Sequence, residues 1–62
     1  MLRQYTILEI LEDCVLVLNP DGEVEKLLRI NIPRFAKSGD LIRWAEHNFY
    51  YVVDENGKII DR

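Results

Sequence analysis

Cys14-Val15-Leu16-Val17-Leu18-Asn19-Pro20-Asp21-Gly22-Glu23-Val24 decides the fold of this 62-residue chain. Five apolar, β-prone residues run into the strongest turn signal present. Proline presets the first turn dihedral, aspartate tolerates the second, and glycine accepts the positive φ that closes a hairpin. A strand over 14–18 and a returning strand from Val24 to Ile30 follow. Outward from this hairpin the pattern repeats. Leu41-Ile42-Arg43-Trp44 and Phe49-Tyr50-Tyr51-Val52-Val53 are strand-like in composition, and Lys58-Ile59-Ile60-Asp61 closes a second hairpin over Asp54-Glu55-Asn56-Gly57. Ser38-Gly39-Asp40 marks a third turn and Ala45-Glu46-His47-Asn48 a weaker fourth. Short pieces between regular turns predict an all-β fold, a small antiparallel barrel (SH3-like or OB-like) of five or six short strands. It occupies residues 1–62 as one domain.

Two segments need arbitration. Tyr5 to Leu11 fits a strand, but Ile7, Leu8, Leu11 and Val15 also fall at helical spacing. The β-prone Tyr5-Thr6-Ile7, with no glycine or proline before the next strand, favours the strand, and Glu12-Asp13 is then a tight turn. Ile32-Pro33-Arg34-Phe35 is a connector, because Pro33 has no amide proton for a central ladder.

Composition narrows the function classes. Leu, Ile, Val and Phe make 22 of the 62 residues, well above the disordered range. A chain this short builds one thin core and leaves little room for a substrate cleft, so the expectation is no enzyme and no small-molecule substrate. No apolar run approaches a membrane span, and Met1-Leu2-Arg3-Gln4-Tyr5 lacks a secretory pattern. The single cysteine, Cys14, reads as a buried, inert thiol, and a cytoplasmic location is expected. His47, alone beside Glu46, falls short of a metal site. Neither cofactor nor metal is expected, and the paired carboxylates belong to turns rather than to acid–base chemistry.

Charge is uneven within a net −3. Residues 1–28 carry −4, residues 29–43 carry +3 through Arg29, Arg34, Lys37 and Arg43 against Asp40, and residues 44–62 carry −2. The ordinary reading of such a pattern is pairing between neighbouring strands.

Two features point to partners. Strands 14–18 and 49–53 are apolar on both faces, whereas an antiparallel sheet in a small monomer keeps one face polar. This predicts a homo-oligomer or docking on a larger protein, with Tyr50, Val52, Val15 or Val17 at the contact. The second feature is aromatic: Trp44, Phe49, Tyr50 and Tyr51 surround one hairpin, near Arg34, Lys37 and Arg43 in sequence. Single-strand nucleic-acid binders combine such rings with cationic grooves. The competing reading places Trp44, Phe49 and Tyr51 in the core with Tyr50 outside, and a pI of about 4.9 argues against nucleic acid.

Ile32-Pro33-Arg34-Phe35-Ala36-Lys37-Ser38-Gly39-Asp40-Leu41-Ile42 resembles the Leu-Pro-x-Gly-Ala-Lys-x-Gly-Asp-Val-Leu stretch of a family of small bacterial domains of unknown function. Glu12-Asp13-Cys14-Val15-Leu16-Val17 and Val52-Val53-Asp54-Glu55 extend the likeness over roughly residues 7–55. Phe35 stands where that family usually has glycine, and Leu8-Glu9 and Leu11-Glu12 replace its usual Asp-Arg and Glu-Gly pairs. The resemblance implies a compact β domain without an assigned reaction, at times appended to larger proteins. The expected function is therefore a non-catalytic protein-interaction or self-associating module, with a weak single-stranded nucleic-acid-binding barrel as the alternative.

Overall fold

The structure, a computed structural model, describes residues 4–45 and 49–60. It is all-β: β1 (Gln4–Ile10), β2 (Cys14–Leu18), β3 (Val24–Leu28), β4 (Leu41–Trp44) and β5 (Tyr50–Val53), with one 3-10 turn, Arg29–Asn31, after β3. The strands form one antiparallel sheet in the order β3-β2-β1-β4-β5. Three strands joined by hairpins and a fourth that returns beside the first make a Greek key. The sheet is consistent with a small barrel-like fold, but among the described residues it does not close, and β3 and β5 are its edges.

Two turns share one design. Asn19 Oδ1 accepts the amides of Asp21 and Glu23, each at 2.9 Å, and the Gly22 amide reaches the Asn19 carbonyl at 3.0 Å with φ at 85°. Asp54 does the same for Asn56 and Lys58, with Gly57 at φ 83°. The short side chain satisfies amides that the tight reversal would otherwise strand. After the second turn the expected strand shrinks to a single bridge, Val53 to Ile59, and Asp61 lies outside the described residues. The expected fourth turn is closed by the Ala45 amide on the Phe49 carbonyl at 2.7 Å, while Glu46, His47 and Asn48 lie outside the described residues.

The helix-like spacing in residues 5–11 has a structural explanation. β1 is a strand with a bulge, since Ile7 pairs with Val17 and Glu9 with Leu16, leaving Leu8 as the extra residue. A bulge bends and twists its strand. β1 thus pairs with β4 through Gln4, Tyr5 and Thr6 and with β2 through Thr6 to Ile10. The Ser38 hydroxyl donates to the Leu8 carbonyl at 2.7 Å, while Gly39 and Asp40 exchange backbone bonds with Ile7. The Lys37–Asp40 turn therefore locks the bend.

The core lies on one face of the sheet: Tyr5, Ile7, Val15, Val17, Ile42 and Val52, capped by Ile32 and Ala36 from the β3–β4 connection. Each residue of strand period two that lands inside is β-branched or aromatic. Val15 and Val17 point inward, so the outward face of β2 is Cys14, Leu16 and Leu18. Cys14 is only half-buried, contrary to the expected buried thiol, because it sits on that outer face opposite Leu28.

Candidate interaction surface

An open groove of about 790 Å³ lies between the 3-10 turn and the β4–β5 hairpin. One wall is Ile30, Asn31, Ile32 and Pro33; the other comprises Arg43, Trp44, Ala45, Phe49, Tyr50 and Tyr51. Four large apolar side chains here stay accessible to water: Ile30 is 82% exposed, Phe49 53%, Trp44 49% and Tyr51 47%. Local causes are identifiable. Pro33 and the 3-10 turn end β3 early, which throws Ile30 outward. Trp44 continues the inner face of Ile42, but it sits at the strand's end, beyond the cover that Ile32 and Ala36 provide.

The expected aromatic core is therefore reversed. Tyr50, not Trp44, supports the interior, its ring edge-on to Tyr5 with centroids 5.8 Å apart and planes at 82°. Such a pair adds about 0.5–1.5 kcal/mol beyond burial. Tyr50 is half-buried and offers only part of its surface to the groove. Val15, Val17 and Val52, expected at a contact, are fully buried in the monomer and have no face left for a partner. Their burial has a simple reason: the strand face expected to be free is the one the connector covers.

The cations do not gather. Of Arg34, Lys37 and Arg43, only Arg43 lines the aromatic groove, and its guanidinium donates to the Gly57 carbonyl at 3.2 Å. Arg29 is occupied by the carbonyl of Ile32 at 3.0 Å, with longer bonds to those of Pro33 and Arg34. Arg34 lines a neighbouring groove with Glu12, Asp13, Leu28 and Arg29, which mixes both signs. Lys37 lies in the turn at β1, where its amide donates to Asp40 Oδ2 at 2.9 Å. The basic centre of the sequence is thus dispersed over the fold, not collected into an anion-binding track.

Ile30 and Ile32 line both grooves, so an apolar path runs from Leu28 at the end of β3 to Trp44. Sequence reading missed Ile30 and Leu28 by extending the strand through residue 30. The Pro33 that breaks the ladder three residues later was the available signal. Among the described residues, no three of His, Cys, Asp and Glu gather closely enough to hold a metal ion, and no helix is long and apolar enough to cross a membrane. Comparison with known proteins finds no matching family, no similar curated protein and no similar solved structure.

Proposed function

We propose that this protein is a non-catalytic interaction module that binds a segment of another polypeptide in the groove between the 3-10 turn and the β4–β5 hairpin. The observation that carries the reading is that Ile30, Trp44, Phe49 and Tyr51, all about half exposed or more, border one open groove. Exposed apolar patches of this kind mark interaction sites, and aromatic residues dominate the energetics of protein contacts. The reading accords with the resemblance of residues 32–42 to small bacterial domains that occur appended to larger proteins.

Nucleic acid is the competing occupant, because Trp44 and Tyr51 lie beside Arg43. The dispersal of Arg34 and Lys37 and the net charge of −3 weigh against it. Trp44 is the sole tryptophan, so its emission reports on the groove directly. Peptides selected from a random linear library should shift that emission, and Trp44→Ser should abolish their binding while leaving thermal unfolding nearly unchanged. Selected peptides that leave Trp44 emission unchanged, or a salt-sensitive response to an unstructured oligonucleotide alone, would overturn the reading.

A further inference from the structure

β3 is an edge strand of the sheet. In the β2–β3 ladder, the Asn19 amide donates to the Glu23 carbonyl and the Arg29 amide to the Asp13 carbonyl. Backbone groups in an antiparallel ladder alternate in direction. Residues 23, 25, 27 and 29 therefore face β2, and Val24, Lys26 and Leu28 turn their amides and carbonyls away from it. Among the described residues no strand reaches them. The side chains of these three residues are exposed as well. The edge thus combines a free hydrogen-bonding ladder with an apolar–cationic–apolar row.

That row speaks about the occupant. A second copy adding antiparallel about a two-fold axis at the strand centre would set Lys26 against Lys26, and like charges directly opposite are destabilising. A lysine in mid-edge is a common guard against such pairing. The same lysine attracts a carboxylate. Val24 and Leu28, two residues to either side, offer apolar contact to residues flanking that carboxylate. Beyond Leu28, Ile30 carries the path into the aromatic groove.

We propose that β3 binds an extended segment of a partner protein by strand addition, and that the segment carries an acidic residue opposite Lys26 with apolar residues two positions away on each side. Main-chain hydrogen bonds supply affinity in this mode, and alternate side chains supply selectivity. The proposal rests on the groove reading for the far end of the segment, where it meets Ile30 and Trp44.

The test is a selection from a random linear peptide library against the natural chain and against Lys26→Glu in parallel. The natural chain should enrich apolar-x-acidic-x-apolar sequences. Lys26→Glu should bind them about fivefold to tenfold more weakly, as reversal of one cross-strand charge pair implies, and should enrich basic residues at the central position. A synthetic winner should slow hydrogen exchange at the amides of Val24, Lys26 and Leu28. Winners that shift Trp44 emission, tolerate Lys26→Glu and leave those amides unprotected would overturn strand addition while the groove reading stands. An absence of winners would overturn both. A natural chain whose mass doubles with concentration while those amides become protected would assign the edge to a second copy and overturn the proposal.

Discussion

Replacing Asn19 with aspartate keeps both turn bonds and changes one group. The Oδ1 atom still accepts from the Asp21 and Glu23 amides. Asn19 Nδ2, which donates to Glu25 Oε2 at 2.8 Å, becomes a second carboxylate oxygen aimed at a carboxylate. The lost bond to a charged acceptor is worth about 1.5–3 kcal/mol. Repulsion between half-solvated charges near 4 Å adds about 1 kcal/mol. Asn19→Asp should therefore cost about 2.5–4 kcal/mol, against a total of roughly 3–9 kcal/mol for a chain of this length. The midpoint of thermal unfolding should fall by about 10–30 °C. Part of the loss should return at high salt, because the repulsive share is screened. In a Glu25→Gln background the new carboxylate meets an amide donor, and the cost should drop below about 1 kcal/mol. Urea unfolding of the four chains of this cycle gives the coupling directly. Equal losses in both backgrounds would refute the reasoning, because they would mean that Asn19 and Glu25 do not share a bond in solution. Asp54 is the internal control: it fills the same turn role, and its side-chain oxygen meets the amides of Asn56 and Lys58.

Two further perturbations test the fold. Ile42→Ala should cost about 2–5 kcal/mol, since Ile42 is fully buried between β1 and β5, and should lower the urea midpoint followed by circular dichroism accordingly. Gly39→Ala should cost about 1–2 kcal/mol through the backbone alone, because φ is +93° and an added Cβ would meet no atom within 4 Å; an unchanged urea midpoint would contradict that conformation.

Much of the architecture is readable from turn residues. Asn19-Pro20-Asp21-Gly22 and Asp54-Glu55-Asn56-Gly57 carry their chemistry in four letters each, and the strands between them follow from composition. What resisted reading was orientation. Period two says that Val15 and Val17 share one face and Leu16 and Leu18 the other, but both sets are apolar, so nothing local distinguishes inside from outside. The decision is made by Ile32 and Ala36, which arrive from a connector fifteen or more residues away and cover one side. The same cause hid the site. Trp44 reads as core by hydrophobicity, yet it lies past the end of that cover, whereas Tyr50 reaches Tyr5 across the sheet. The bulge at Leu8 was likewise masked, because two adjacent apolar residues imitate a helical face when the extra residue is not recognised.

The two walls of the aromatic groove belong to different parts of the folding problem. β1, β2 and β3 form a meander of neighbouring hairpins, and the 3-10 turn hangs from its end. Among the described residues the β4–β5 hairpin joins this meander through three paired positions, Gln4 with Arg43, Tyr5 with Ile42 and Thr6 with Leu41, each separated by more than thirty positions along the chain. Such distant contacts form late and are the natural line along which a small domain opens. A ligand lodged between Ile30 and Trp44 touches both halves at once. Its binding free energy then opposes their separation, and hydrogen exchange in β4 and β5 should slow as free ligand rises, by a factor of 1 + [L]/Kd. Partner binding and completion of the fold would thus be one equilibrium, measured at two ends of the same molecule.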